Sequence, residues 1–446
     1  MRSKEIDMLH GPVAGKILVF ALPLMLTSIL QLLFNAADTI VVGRFVGPTS
    51  LAAVGATNSL VNLYVNFIIG VSVGANVLVA HELGAGNLKQ VRLAVHTAVL
   101  SAVLAGILLC FLGLLGAVPM LGLMKTPSDV IDLSALYLRI YFLGVPFQSV
   151  YNVCAAILRA NGDTKRPLVF LSISGALNVI LNLFFVIYCG LNVAGVALAT
   201  IISQCVSMVL ILNCLAKERG ALQLSLKELR IDSRSLARIL RIGIPSGLQG
   251  CLFSIANVVI QSTVNSFGSI IVAGNSAAMS IEAFVYVSAN SISQACQTFI
   301  SQNYGAMEFA RVKKIRNACL MWVFLIVLVL GNAVVFSGTF LCSIYTTDPQ
   351  AIAAGALRLK YMETLYFIFG LMDVMVGALR GIGLSIVPMI TSLVGVCAFR
   401  LVWIALAFPL NPVIENLYIS YPISWALTFA AHFFYWQFVW KKMKNP

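Results

Sequence analysis

The sequence predicts an all-α membrane protein of twelve transmembrane helices, arranged as two six-helix lobes related as parallel repeats. Three observations carry that expectation. Sixty per cent of the 446 residues are hydrophobic and ten per cent are charged, whereas a soluble domain carries roughly 25% charged residues. Twelve mainly apolar runs are each long enough to cross about 30 Å of hydrocarbon as a helix. The chain also repeats itself: Leu158-Arg159-Ala160-Asn161-Gly162 ahead of Pro167 returns 221 residues later as Leu379-Arg380-Gly381-Ile382-Gly383 ahead of Pro388. At that offset Gly84-Ala85 becomes Gly305-Ala306 and Val91-Arg92 becomes Val312-Lys313, while Pro23 corresponds to Pro245.

The runs follow in order. The first, 17–42, holds Pro23 and leads into a polar turn with no small-residue cleavage site, so it is expected to remain as helix 1. Runs 51–79 and 91–118 flank the turn Gly84-Ala85-Gly86-Asn87, and 130–157 ends before Asn161-Gly162. Runs 168–189 and 193–216 complete the first half. The second half repeats the order as 241–265, 270–300, 315–341, 351–379, 386–409 and 417–440. Six helices per half is an even number, so both halves enter from one side and should be parallel repeats. The expected organisation is an N-lobe 1–216, a connector 217–240 and a C-lobe 241–446. Leu222, Leu224, Leu226 and Leu229 of the connector are expected to lie along the membrane surface.

Charge sets the orientation. The net charge of +13 gathers in loops on one side, among them Arg2, Lys4, Lys16, Lys89, Arg92, Lys165, Arg166, the connector, and Lys441, Lys442 and Lys444. The opposite loops carry Arg44 and Lys125. Under the positive-inside rule both termini are expected to be cytoplasmic. The basic balance therefore reads as orientation and contact with the lipid bilayer, with no nucleic acid as partner. Ten cysteines fall almost entirely inside apolar runs without a CxxC pair and read as reduced packing residues. Four histidines lack ligand spacing, which argues against a zinc enzyme. No GxxxxGK[ST] occurs, so direct drive by ATP within the chain is excluded. A membrane-embedded enzyme would need a His/Asp/Ser constellation deep in the helices, and none is visible. No cofactor is expected.

Paired repeats in a membrane are how many secondary transporters expose one site to either side. Polar residues inside the helices locate such a site, because hydrocarbon penalises them unless they face a cavity or a partner. Gln31, Asn35 and Asp38 share one face of helix 1, and Asn58, Asn62 and Asn66 step by four along helix 2. Asn178 and Asn182 do the same on helix 5. In the second half Asn257, Gln261 and Asn265 line helix 7, while Glu282, Tyr286, Asn290 and Gln294 line helix 8. Any single amide equally serves as a helix–helix hydrogen bond; whole stripes at matching positions point to a cavity. Tyr141, Phe253 and Tyr286 are aromatic candidates for its wall, suited to flat organic cations.

Asp38 is the one acid in the middle of the first half's helices. A carboxylate removed from bulk water is costly to keep charged, a useful property in a group that alternately binds and releases H⁺. With Asn35, Asn178 and Asn182 it equally supplies oxygen ligands to Na⁺. Glu282 reads as an anchor for cationic substrate, a second proton site or an inter-helix bond. Glu363 and Asp373, ten residues apart, would take nearly opposite faces of one continuous helix. Arg139, Arg358, Lys360 and Arg400 read as snorkelling toward headgroups or pairing with acids.

The chain resembles the multidrug and toxic compound extrusion (MATE) transporters of the bacterial type. The resemblance rests on Ala21-Leu22-Pro23, Asn35-Ala36-Ala37-Asp38-Thr39-Ile40, Gly43 and Gly47, Gly84-Ala85-Gly86-Asn87, and Leu158-Arg159-Ala160-Asn161-Gly162-Asp163-Thr164 with Pro167 and Asn178. It implies a V-shaped pair of lobes rocking between inward- and outward-open forms, a monomer that exports amphipathic, often cationic small organic molecules in exchange for H⁺ or Na⁺. It also implies that Asp38 couples the cation, with Asn35 and Asn178 in the same site and Pro23 where helix 1 bends. Two departures matter. Asn182 stands where many relatives have an aspartate, and Phe253 stands where some sodium-coupled members have a helix 7 glutamate. The alternative is a lipid-linked oligosaccharide flippase of the same broad superfamily, which would place several Arg or Lys in the central cavity.

Overall fold

The computed structural model describes residues 5–124, 126–128 and 130–444, without the side chains of the last two. Of the loop cations named above, Arg2, Lys4, Lys125 and the Lys444 side chain lie outside the described set. The described residues form helices and no strands. In order they are α1 (Val13–Val41), α2 (Pro48–Gly84), α3 (Leu88–Leu123), α4 (Ile131–Ala160), α5 (Lys165–Leu183), α6 (Asn192–Ala216), α7 (Ser233–Asn265), α8 (Ser269–Gly305) and α9 (Phe309–Phe336). After the short α10 (Gly338–Tyr345), α11 (Pro349–Glu363) and α12 (Tyr366–Gly381) form one broken span bent by 49°. The eleventh span comprises α13 (Ile386–Ser392), α14 (Phe399–Val402) and intervening π-helical turns, and α15 (Ile414–Lys444) is the twelfth. Among the described residues ten helices pass as spans on length and apolarity alone and the bent pair makes eleven; α15 is not among them and is placed twelfth by its order in the repeat.

Backbone geometry repeats with the sequence. Left-handed φ values occur at Gly47 and Gly268, at Gly86 and Met307, and at Gly162 and Gly383, each pair separated by the repeat offset. At each pair the chain leaves or enters a helix, so the turn chemistry was duplicated along with the spans. α5 runs into a π turn at Phe184–Tyr188, and its repeat equivalent carries π turns at Leu393–Ala398 and Trp403–Ala407.

The chain divides into two compact units, one of Met1–Asp7 with Leu26–Cys251, the other of Met8–Met25 with Leu252–Pro446. The repeats divide at the connector, but the compact units change over between Asp7 and Met8, ahead of α1, and then inside α1 and α7. The two changeovers inside helices lie close after a proline, Pro23 and Pro245, whose missing N–H removes one helical hydrogen bond.

In the first unit, the start of α7 packs on α2 through two Gly-x-x-x-Gly faces. A Cβ on Gly70 would lie 2.2 Å from Gly247 N, and one on Gly74 would lie 2.2 Å from the Ile239 carbonyl oxygen. Small residues of this kind let backbones approach where no hydrophobic driving force separates helix from lipid. The connector folds onto the same unit. Leu222 and Leu224 are buried with Ile239 among Ala94, Ala98 and their neighbours, and Leu229 packs against that cluster. This corrects the expected membrane-surface row of leucines. A 3₁₀ turn at Leu226–Glu228 breaks the row, and only Leu226 faces outward, 81% exposed. Asp232 then opens α7 by accepting from Ser235 N at 2.8 Å and Ser235 Oγ at 2.7 Å, bonds that hold its carboxyl below the usual range.

The second unit has the corresponding arrangement at its own end. Met8 is buried, its carbonyl accepting from Asn303 Nδ2 at 3.1 Å and Arg311 Nε at 3.2 Å. The Arg311 guanidinium also donates to the carbonyls of His10 and Gly11 at 3.0 and 2.9 Å. The segment preceding α1 thus caps α9, as the connector preceding α7 caps α3. Each lead-in docks on the third helix of the other repeat.

Gly74→Ala places a methyl group against the Ile239 carbonyl and should destabilise the protein by about 1–3 kcal/mol. Gly122→Ala, with open space around its Cβ, should leave thermal unfolding in detergent unchanged. Equal melting temperatures for both variants would show that the α2–α7 approach does not limit stability.

Candidate functional site

The first unit brings Asp38, Asn178 and Asn182 together. Gly175 makes this possible, because a Cβ there would lie 1.8 Å from the Phe34 ring. Phe34 therefore seats on α5 only where that helix has no side chain. Asp38 follows Phe34 by one turn, and Asn178 and Asn182 follow Gly175 on the same face. Asn182 Nδ2 donates to Asp38 Oδ1 and, at 3.2 Å, to Asn178 Oδ1. Asn178 Nδ2 passes the chain on to Thr200 Oγ1 at 3.5 Å, and Thr200 donates to the Val196 carbonyl at 3.0 Å. Asn182 is fully buried, yet its Oδ1 has no hydrogen-bond partner among the described residues. One carboxylate, half-buried, thus meets one amide with an unused acceptor beside it.

The other first-unit candidates lie apart from that chain. Asn35, Gln31 and Asn62 are exposed, and no hydrogen bond joins Asn35 to Asp38 among the described residues. Asn66 is half-buried against the α7 backbone at Gly250, whose Cβ position lies 3.1 Å from its own. Tyr141 is buried, donates to Gln148 Oε1 at 3.4 Å, and stacks on Tyr137 with ring centroids 6.2 Å apart.

The second unit holds a larger polar cluster. Both Glu282 oxygens are taken by Arg358, with Nε to Oε1 and Nη2 to Oε2 each at 2.8 Å. Arg358 Nη1 donates to Asn275 Oδ1 at 2.7 Å, which also accepts from the Tyr418 hydroxyl at 3.5 Å. Asn275 Nδ2 in turn donates to Gln261 Oε1 at 3.3 Å. A two-pronged pair of this kind adds geometric specificity, and once buried it is costly to break by removing one partner. Arg400 lies 3.8 Å above the Tyr421 ring and donates to Ser424 Oγ at 3.0 Å. Arg139 and Lys360 are exposed.

Glu363 closes α11 at the break before α12. It is 1% exposed, and neither carboxyl oxygen has a hydrogen-bond partner among the described residues. Ten residues put Glu363 and Asp373 only about 80° apart around a straight helix, not opposite, and the break between α11 and α12 removes the straight helix altogether. Asp373 is bonded elsewhere: Asn290 Nδ2 donates to its Oδ2 at 3.3 Å, and Gln294 donates to Asn290 Oδ1 at 2.7 Å. Tyr286 is 43% exposed with its ring 5.6 Å from Phe369. Phe253 is half-buried and Asn257 exposed; neither joins these networks.

Sequence reasoning did not single out Asn275, Thr200, Tyr418 or Gly175. Asn275 was findable, seven residues before Glu282 on one helical face. Gly175 carried no signal, since its role depends on which helix passes it.

The MatE family profile matches the chain twice, over residues 23–184 and 245–406. The two matched segments begin at Pro23 and Pro245, the prolines inside α1 and α7, and restate the internal repeat. The Bacillus subtilis protein named Probable multidrug resistance protein YoeA is 28% identical over 435 residues, spanning 95% of this chain and 93% of its own. An FAD transporter of Shewanella oneidensis is 25% identical over 412 residues, spanning 90% and 88% respectively. Among solved structures, a MOP superfamily transporter from Pyrococcus furiosus has the same fold, with a TM-score of 0.93 at 21% identity over the whole of both chains.

Arg358→Met strands the buried Glu282 carboxylate and should cost about 3–5 kcal/mol of stability. The double variant Arg358→Met/Glu282→Leu should recover most of that loss. Thermal unfolding of the four proteins in a double-mutant cycle checks it; additive losses would show that the pair is not energetically coupled.

Proposed function

The chain belongs to the MatE family of multidrug efflux transporters, and on that premise we propose that it is a secondary active exporter driven by H⁺ or Na⁺. Its substrates are small amphipathic organic compounds, often cationic, and it works as a monomer in a bacterial inner membrane with both termini cytoplasmic. The Asp38–Asn182–Asn178 chain is the observation that carries the coupling half of this reading.

The chemistry is simple. A charged Asp38 accepts the Asn182 amide N–H. When a proton arrives, Asp38 becomes a donor and needs an acceptor, and Asn182 Oδ1 is buried beside it without one. Rotation of one amide therefore serves both protonation states, at the expense of the bond from Nδ2 to Asn178. A Na⁺ ion would use the same oxygens, but a single carboxylate is a thin anionic site for it, which favours H⁺. Coupling requires only that cation and substrate prefer different states of the protein.

Two features support movement of the lobes. The compact units change over inside α1 and α7 as well as between Asp7 and Met8, so relative motion must be absorbed in those helices and in the segment ahead of α1. Each helix has a proline just before its changeover, where the helical ladder already lacks a bond. Substrate contacts are assigned to the exposed and half-buried stripe residues: Gln31, Asn62, Asn66, Phe253, Asn257, Tyr286 and Asn290.

Uptake of a fluorescent organic cation into inverted vesicles tests the reading. Either an imposed pH gradient or a Na⁺ gradient should drive uptake by the wild type, and Asp38→Asn should abolish it. Asn182→Ala should lower the rate by about tenfold, the scale of losing one hydrogen bond to a charged group. Failure of both gradients to drive wild-type uptake would overturn the proposal; full activity in Asp38→Asn would move coupling away from this site.

A further inference from the structure

The first unit carries a pocket of about 320 Å³ where α3 begins, walled by Lys89, Arg92 and His96 on the helix and by residues 227–230 of the connector. That volume falls in the range of about 300–1,000 Å³ typical of small-molecule sites. Its shape is held by His96, whose Nδ1 lies 2.7 Å from the Arg92 carbonyl while Nε2 accepts the Ser225 N–H at 3.1 Å. Both ring nitrogens are engaged, so His96 ties the connector to α3 and leaves ligand contact to its neighbours.

Charge in the pocket is unbalanced. Arg92 is neutralised by Glu228, whose two oxygens accept from Nε and Nη2 at 2.5 Å each. Lys89, Lys227 and Arg230 form no ion pair among the described residues. Three positive charges lining one cavity act together on an anion.

What kind of anion follows from the residues next to the cations in the chain. Each cation is followed or preceded by an exposed aliphatic residue that lies outside the pocket lining: Leu88 is 62% exposed, Leu226 81% and Ile231 43%. Alternating cations and bare aliphatics suit the boundary between headgroups and acyl chains, whereas a site for a soluble ion has no use for them. The second unit's counterpart pocket lacks this character, because Arg311 spends its donors on the carbonyls of Met8, His10 and Gly11.

We propose that this pocket binds the phosphate headgroup of an anionic membrane lipid, with Lys89, Lys227 and Arg230 on the phosphate and Leu88, Leu226 and Ile231 among the acyl chains. The bound lipid reinforces the seat of the connector on α3, and hence the entry of α7.

Native mass spectrometry of the full chain, titrated with phosphatidylglycerol or phosphatidylcholine, reads the binding. The wild type should hold phosphatidylglycerol at least about tenfold more tightly, a preference that Lys89→Gln/Lys227→Gln/Arg230→Gln removes and Lys441→Gln/Lys442→Gln retains. All three pocket side chains are exposed, so the triple variant should melt with the wild type in neutral detergent. If it does not, the single variants Lys89→Gln and Lys227→Gln should each weaken the preference several-fold. An undiminished preference in the folded variants would overturn the proposal. Displacement of the lipid by inorganic phosphate at matching concentration would also overturn it, by making the ligand a soluble anion.

Discussion

Everything polar inside this protein must find its partner without help from water. In hydrocarbon a carboxylate, guanidinium or amide left alone is penalised by several kcal/mol. The spans therefore have to approach closely wherever such groups occur. Gly175 lets Phe34 seat and so brings Asp38 to Asn182; Gly331, whose Cβ position lies 2.5 Å from the Glu363 carbonyl, admits α9 to the end of α11. Glycine supplies the approach, and the polar bond supplies the specificity.

The two units answer that constraint differently. The first leaves Asp38, half-buried on α1, to a single amide, with a free acceptor beside it, while its buried acids Glu82 and Asp163 pair with Arg238 and Arg166. The second pairs Glu282 with Arg358 and surrounds the pair with Asn275, Tyr418 and Gln261, a fully engaged network that resists change. Duplication gave both units the same helices; divergence made one a candidate switch and the other a brace. Glu363 is the exception in the second unit, a buried carboxyl with no hydrogen bond at the break of a span.

Exchange of the leading halves of α1 and α7 is the second organising fact. Each unit is built from five spans of one repeat, the trailing half of that repeat's first span, and the leading half of the other's. Lead-in segments follow their helices, so the connector docks on α3 and the residues before α1 dock on α9. A transporter assembled this way has its two units joined through continuous helices rather than only through a flexible linker.

The sequence by itself determined the membrane class, the twelve spans, the repeat and the family, because apolar length and duplicated motifs are local properties of the chain. It also singled out Asp38, Asn35, Asn178 and Asn182 as a group, since an isolated acid and amides at helical spacing are visible along a helix; the structure joins three of them by hydrogen bonds and leaves Asn35 apart. Tertiary structure decided which groups meet. The pairing of Glu282 with Arg358, the burial of Leu222 and Leu224, the break after Glu363 and the exchange of helix halves all depend on contacts between residues distant in the chain. Spacing along a helix gives a face, but only packing says what that face touches.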